Sequence, residues 1–199
     1  MLTTDKIKAR NKAFDKLSKR GKRLAVLKDA LLISTSPKSK FVVTHGTYGE
    51  FPDFTVENTM QTNLLMPGEE CKVCARGVMF CSRVRVGNKF EDTKSGISGE
   101  DTLKAVKDIF EDSEMYILES IFEDDDLGGD DWMSQKIQKL LTKKYGEYHP
   151  EDDYLHEFYT GSGQDRFVKV LKNLIWAKGN FEKGIFRHLL PVKKKKKKN

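Results

Sequence analysis

The sequence is poor in the side chains that build metal and thiol sites. Its 199 residues include 3 cysteines and 4 histidines. Because the cysteines are odd in number and lie close together, they argue against a disulfide framework and for reduced thiols in a cytosol-like compartment. The sequence also lacks an apolar run of about 18 residues and the apolar core of a signal peptide. We therefore expect a cytoplasmic protein with no membrane partner.

Sequence motifs of the familiar enzyme classes are missing as well. The chain contains no G-x-S-x-G, no Walker-type loop and no H-E-x-x-H. Its histidines, His45, His149, His156 and His188, are scattered along the chain. His156 lies among acidic residues, where a surface position explains it better than a role as general base or ligand. The sequence therefore indicates no catalytic residue, and a non-enzymatic protein is the favoured interpretation.

Charge is abundant and unevenly distributed. The formal net charge is +6, and the run Lys193–Lys198 accounts for all of it. Residues 1–24 hold nine basic residues against two acidic ones. Residues 100–131, called the acidic segment below, hold thirteen acidic residues against two lysines. Basic ends of this kind can bind a polyanion, fold back on the acidic segment or keep the chain in solution.

The basic ends supply the candidate nucleic-acid contacts. No motif that reads nucleic-acid sequence accompanies them, so these contacts would be made to phosphates. The candidates are Lys6, Lys8, Arg10, Lys12, Lys19, Arg20, Lys22, Arg23, Lys193, Lys194, Lys195 and Lys196.

Hydrophobic periodicity predicts a mainly α protein. About six helices and at most a small β element are expected to share one core, with an α+β arrangement as the alternative. Two capping boxes, Ser98 with Asp101 and Ser162 with Asp165, predict helix starts, and Gly179 predicts the end of the second of these helices. We expect a basic helical arm at residues 1–20, one compact helical domain at 21–190 and a disordered lysine-rich tail at 191–199.

The middle of the chain carries three further structural predictions. The run Phe41–Val43 predicts a short strand, and residues 51–68, which include two prolines, predict a loop. Apolar or small residues from Cys71 to Val86 form one stripe, which predicts a single helix. On that helix Cys71, Cys74 and Cys81 would share a face.

The cysteines offer one metal-site hypothesis. Cys71 and Cys74 have the C-x-x-C spacing of a zinc knuckle, and Cys81 and His45 are the candidates for further ligands. Because a second C-x-x-C is missing, burial of the thiols as small apolar residues is the favoured interpretation. A reactive or redox-active thiol is a third alternative.

An acidic turn has some of the spacing of a calcium loop. If Asp124 takes the first position, Gly129 takes the sixth, where such a loop must turn. However, Gly128 and Gln135 take the fifth and twelfth positions, which normally supply ligands. The sequence therefore disfavours a calcium site, and no other cofactor is expected.

Three segments carry a resemblance. They are His45–Tyr48, the segment Cys71–Arg85, which begins with the pattern C-x-V-C-A-x-G, and Asp165–Phe181, which ends in Gly-x-Phe. With these segments the chain resembles a set of small uncharacterised proteins of bacteriophage and bacterial genomes, over roughly residues 24–182. The resemblance implies a phage or mobile-element source and an intracellular protein. It carries over no catalytic residue, because no activity is established for the set.

Two functional hypotheses and a weaker third remain. The first is a non-enzymatic accessory protein of phage type that binds a host or viral protein. It would use the acidic segment or the aromatic residues Tyr145, Tyr148, Tyr154, Phe158 and Tyr159, which could also stack on bases or simply pack. The alternative is a nucleic-acid-associated protein that uses its basic ends. The third is a small zinc-binding protein, and the sequence does not indicate an oligomeric state.

Overall fold

The computed structural model describes residues 4–52, 59–65, 67–87, 96–123, 134–146, 155 and 157–190. Within these residues it has nine α-helices, one 3-10 helix and four short strands. The α-helices are α1 (Thr4–Asp15), α2 (Lys19–Thr35), α3 (Met60–Leu65), α4 (Ala75–Val86), α5 (Gly99–Val106), α6 (Asp112–Glu123), α7 (Gln135–Tyr145), α8 (Gly163–Trp176) and α9 (Phe181–Ile185), and the 3-10 helix is Arg187–Leu189. The strands are β1 (Phe41–Val43), β2 (Gly49–Glu50), β3 (Cys71–Val73) and β4 (Gly96–Ile97). The mainly helical class is confirmed, but the described residues form nine helices where about six were predicted.

The four strands form one small sheet in the order β1-β3-β2-β4. Strand β3 pairs in parallel with β1 and antiparallel with β2, and β2 pairs antiparallel with β4. Strand β3 leads directly into helix α4, because Cys74 is the N-cap residue of that helix. The sheet therefore lies at the N-terminal end of α4.

Helix α4 lies at the centre of the core. All of its residues except Arg85 are buried, and α2, α3, α5 and α6 pack around it. A helix that is enclosed on all sides must pair its charges, since an unpaired buried charge is costly. The guanidinium of Arg76 accordingly contacts Glu119 at 2.7 Å, and that of Arg83 contacts Asp108 at 3.2 Å.

The prediction of one helix from Cys71 to Val86 is wrong. Residues 71–73 pair with β1 and therefore form a strand. Along this strand the side chains are buried, exposed and buried in turn. Cys74 is extended, with ψ at -175°, so the helix begins only at Ala75. Cys71 and Cys81 therefore do not share a helix face.

Both predicted capping boxes are present. The side chains of Ser98 and Ser162 accept hydrogen bonds from the backbone N–H groups of Asp101 and Asp165, and both aspartates bond back to the serine N–H groups. Helix α8 ends as predicted near Gly179, whose φ is +78° and whose N–H donates to the oxygen of Leu174.

The boundary between the predicted arm (1–20) and the predicted domain (21–190) falls inside helix α2. Ser18 caps this helix by accepting a hydrogen bond from the N–H of Gly21 at 3.2 Å, so Gly21 lies in the first turn of α2 and does not end a helix. The preceding helix α1 is docked on the core, because Phe14 is buried and packs against Gly87. Helix α1 alone corresponds to the predicted arm.

The remaining differences concern short elements. Helix α3 lies within the predicted loop 51–68, and α9, β2 and β4 were not predicted. Elements of two to six residues are too short to show a helical or strand period in the sequence. No helix in the described part of the chain is both long and apolar enough to cross a membrane.

Candidate functional site

The basic N-terminal segment and the acidic segment meet in the fold. Lys19 Nζ lies 3.2 Å from Glu111 Oε1, and this pair is exposed. Arg23 makes a closer, largely buried pair, in which its two terminal nitrogens donate to the two carboxylate oxygens of Glu114 at 2.8 and 2.5 Å. The start of α2 is therefore bound to the start of α6 by charge.

Most of the described part of the acidic segment is occupied in this way. Five of its carboxylates contact described basic side chains, and Asp101 belongs to a capping box. The pairs are Lys19–Glu111, Arg23–Glu114, Arg76–Glu119, Arg83–Asp108 and His45–Glu123. Residues 124–133 lie outside the described residues, and so does the calcium-like turn. The described acidic residues thus serve mainly to hold the fold together.

The residues predicted to contact nucleic acid differ in whether they have partners in the fold. Arg10 and Arg23 are partners of Asp29 and Glu114, and Lys22 lies over the ring of Phe14. The exposed candidates of helix α1 form no ion pair with another described residue; they are Lys6, Lys8 and Lys12. The tail candidates Lys193, Lys194, Lys195 and Lys196 lie outside the described residues.

A second basic surface lies around Trp176, at the end of helix α8. Trp176 is 46% exposed. The guanidinium carbon of Arg187 lies 4.5 Å from the ring centroid, and the Lys183 ammonium lies 5.4 Å from it. A tryptophan ring attracts cations through its negative face, so it holds two like charges near each other.

This surface borders a cleft of about 600 Å³ between the start of α2 and the end of α8. The basic residues that line the cleft include Lys183, Lys19, Arg20 and Lys178. Its two acidic lining residues are engaged, since Glu114 accepts from Arg23 and Glu182 accepts from the N–H of Ser134. We call Arg20, Lys178, Lys183 and Arg187 the basic face. None of these four side chains forms an ion pair with a described carboxylate.

The end of helix α8 explains how the basic face is built. Lys178 has a left-handed backbone with φ at 56°, which is costly for a residue other than glycine. Arg20 Nε donates to the backbone oxygen of Lys178 at 2.8 Å, and Arg23 donates to that of Gly179 at 3.2 Å. These arginines satisfy carbonyls at the negative end of the helix, which favours cations.

An aromatic cluster lies beside the basic face. His188 stacks on Phe158 with ring centroids 3.4 Å apart, and Lys144 lies over the rings of Tyr145 and Phe158. Burial lowers the pKa of His188 to about 4, and the charges of Lys144 and Lys169 act in the same direction. The imidazole is therefore neutral near pH 7.

The other aromatic candidates divide into two groups. Tyr159 is buried, and its hydroxyl donates to the oxygen of Ile185 at 2.7 Å, so it packs in the core. Tyr148 and Tyr154 lie outside the described residues, as do His149 and His156.

The three cysteines are free and buried. Burial raises the pKa of Cys71 to about 11, and it also raises that of Cys74 to about 11, although the N–H groups of the first turn of α4 oppose it. Burial likewise raises the pKa of Cys81 well above its usual value. These thiols are protonated near pH 7, which is unfavourable for nucleophilic chemistry.

The fourth candidate zinc ligand, His45, has a different partner. Its Nδ1 lies 2.6 Å from Glu123 Oε2, and its ring stacks on Phe122 with centroids 4.6 Å apart. In the described part of the chain, no three histidine, cysteine, aspartate or glutamate side chains are grouped to hold a metal ion. The zinc hypothesis stays a prediction.

Three of the four residues of the basic face were not predicted as site residues, and Trp176 was not predicted either. The one available signal is the position of Trp176 relative to the apolar stripe of α8, which faces the core through Phe167, Leu171 and Leu174. A large aromatic residue off that stripe, followed at close spacing by Lys178, Lys183 and Arg187, indicates an exposed basic surface.

Comparisons with protein-family models, with curated proteins and with solved structures give no match for the chain. The resemblance to phage and bacterial proteins therefore stays a prediction.

Proposed function

We propose that the protein binds nucleic acid through the basic face, with phosphates in the cleft between α2 and α8. The observation that carries this proposal is that Arg20, Lys178, Lys183 and Arg187 have no carboxylate partner among the described residues. Cations that have no carboxylate partner can replace the counterions of a phosphate backbone. The exposed ring of Trp176 adds an aromatic surface of the kind that accompanies single-stranded nucleic acid.

The lysine-rich end of the sequence supports the same proposal. Arg187 and His188 lie in the 3-10 helix that ends at Leu189, and the sequence reaches Lys193 a few residues later. Because the chain connects the tail to the basic face, a polyanion bound at one meets a high local concentration of the other. The proposal therefore keeps the phosphate contacts predicted for the basic tail. In place of some of the N-terminal basic residues, it assigns phosphate contacts to the basic face.

Protein binding through the acidic segment has less support. Glu111, Glu114, Glu119 and Glu123 already have basic partners in the fold. A partner protein that used these carboxylates would have to break several internal ion pairs.

The test is a charge reversal on the full-length chain. The variant Lys178→Glu/Lys183→Glu should bind a fluorescein-labelled 20-nucleotide oligo(dT) at least about tenfold more weakly in an anisotropy titration at 50 mM salt. The matched control is Lys104→Glu/Lys107→Glu, which changes two exposed lysines of the acidic segment and should alter the affinity less than about threefold. Equal losses in the two variants, or no binding by the unchanged protein, would contradict the proposal.

A further inference from the structure

Strand β1 lies at an open edge of the sheet. Its neighbour is β3, and the order β1-β3-β2-β4 leaves its other side without a strand among the described residues. The oxygen of Lys40 accepts a hydrogen bond from Cys71 N at 2.7 Å, and Thr44 N donates to Val73 O at 2.8 Å. Since alternate residues of a parallel strand bond to the same neighbour, the backbone groups of Val42 face β3 and those of Phe41 and Val43 face outward.

Most of these outward groups have no partner among the described residues. The N–H of Phe41 donates to the hydroxyl of Ser39 at 3.2 Å. The oxygen of Phe41 and both backbone groups of Val43 form no hydrogen bond with another described residue. Such an edge is a template on which another extended chain can form hydrogen bonds.

An apolar groove of about 410 Å³ lies beside this edge. Two large apolar residues here are unusually exposed: Leu32, which lines the groove, at 57%, and Val42, on strand β1, at 41%. The apolar lining consists of Leu32, Ile33, Phe41, Leu65 and Pro67. The groove therefore has the size and chemistry to accept apolar side chains of a strand added at β1.

The described charged residues that line the groove are all basic. They are Lys38, Lys40 and Arg85, and none of the described lining residues is acidic. The guanidinium of Arg85 is occupied, because it donates to Asp29 at 2.8 Å and to the oxygen of Leu64 at 2.7 Å. The two exposed lysines form no ion pair with a described residue, so they favour an acidic ligand.

We propose that the β1 edge and this groove bind an extended segment of a partner protein in which apolar and acidic residues alternate. The segment adds a strand next to β1 and forms backbone hydrogen bonds with Phe41 and Val43. Its apolar side chains enter the groove, and its carboxylates contact Lys38 and Lys40. This site is independent of the proposed nucleic-acid surface at the end of α8.

The first test uses a fluorescein-labelled octapeptide of alternating Glu and Leu, titrated with the full-length protein. The Val43→Pro variant should lose at least about tenfold in affinity, because proline removes an N–H that no described residue uses. The Lys38→Glu/Lys40→Glu variant should lose a similar factor, whereas Lys104→Glu/Lys107→Glu should bind as the unchanged protein does. An octapeptide of alternating Lys and Leu should bind at least about tenfold more weakly.

A second measurement locates the added strand even if Val43→Pro fails to fold. Amide hydrogen exchange followed by NMR should show Val42 protected in the free protein and Val43 exchanging quickly. Addition of the Glu-Leu peptide should slow exchange at Val43 by at least about tenfold.

Three results would overturn the proposal: no peptide binding, peptide binding that leaves exchange at Val43 unchanged, or displacement of the peptide by oligo(dT). The last result would show that this groove is a nucleic-acid surface. Loss of oligo(dT) binding in Lys178→Glu/Lys183→Glu with intact peptide binding would support both proposals as separate sites.

Discussion

Gly77 is the residue at which the packing of α4 leaves the least space. A Cβ added there would overlap the backbone oxygen of Tyr48 and lie 3.1 Å from Val73 Cβ. Backbone atoms cannot rotate away as a flexible side chain can, so the contact between the β1–β2 connection and α4 requires glycine.

We predict that Gly77→Ala lowers the free energy of unfolding by about 2 kcal/mol or more, although alanine favours a helix. The matched control is Gly68→Ala, since a Cβ there meets no atom within 4 Å, and its effect should stay within about 1 kcal/mol. Urea titrations of both variants measure the difference. Equal stability of the two variants would show that the loop at Tyr48 moves freely.

His188 provides a prediction about pH. Its folded-state pKa is lowered to about 4 from an ordinary value near 6.5, so the fold favours the neutral ring. This contribution to stability is present above pH 6.5 and is lost as the pH falls toward 4. The difference in unfolding free energy between the unchanged protein and His188→Gln should therefore decrease over that range and stay constant from pH 7 to 9. A difference that does not depend on pH would mean that the stacked ring remains accessible to protons.

Local residue chemistry accounts for what the sequence could predict at this scale. The serine and aspartate of each capping box are neighbours in sequence, so their hydrogen bonds could be foreseen. The burial of the cysteines could be foreseen too, but the contacts of Lys183 and Arg187 with the ring of Trp176 depend on which elements pack nearby. Only the fold supplies that information.

At the scale of elements, helix α2 connects the basic N-terminal segment to the acidic segment through two ion pairs. The side chains of Arg23 and Glu114 are 12% and 14% exposed, whereas those of Lys19 and Glu111 are 55% and 67% exposed. Water screens the second pair more than the first, so the two ion pairs should differ in strength.

We predict that Arg23→Met lowers the unfolding free energy by about 3 kcal/mol, because it leaves Glu114 largely buried without its main partner. The change Lys19→Met should lower it by less than about 1 kcal/mol. In double-mutant cycles with Glu114→Gln and Glu111→Gln, the coupling energy should be large for the first pair and near zero for the second. Equal coupling energies would contradict the role given to burial.

Element boundaries show where sequence periodicity stops being informative. Helix α8 could be predicted from its apolar stripe, its capping box and its terminal glycine, which all agree. The segment Cys71–Val86 could not, because apolar residues in a buried strand followed by a buried helix resemble one longer helix. The pairing of β3 with β1, some thirty residues away in sequence, decides the structure there.

For the whole molecule, the charge segregation of the sequence has two outcomes. Arg23 and Lys19 bind the acidic segment, so part of the basic N-terminal charge is neutralised inside the fold. The basic face and the lysine-rich tail are not neutralised by described carboxylates. The candidate site could be predicted only in its tail and in Arg20, because the basic face is assembled from residues of α2 and of the chain that follows α8.

The most direct measurement of the proposed function is the salt dependence of oligo(dT) binding between 50 and 200 mM salt. The logarithm of the binding constant should fall linearly with the logarithm of the salt concentration, by about 0.7 per phosphate neutralised on a single strand. For Lys178→Glu/Lys183→Glu/Arg187→Glu the slope should become shallower by about 2, whereas Lys104→Glu/Lys107→Glu should keep the slope of the unchanged protein. A salt-independent binding constant, or an unchanged slope in the triple variant, would contradict nucleic-acid binding at the basic face.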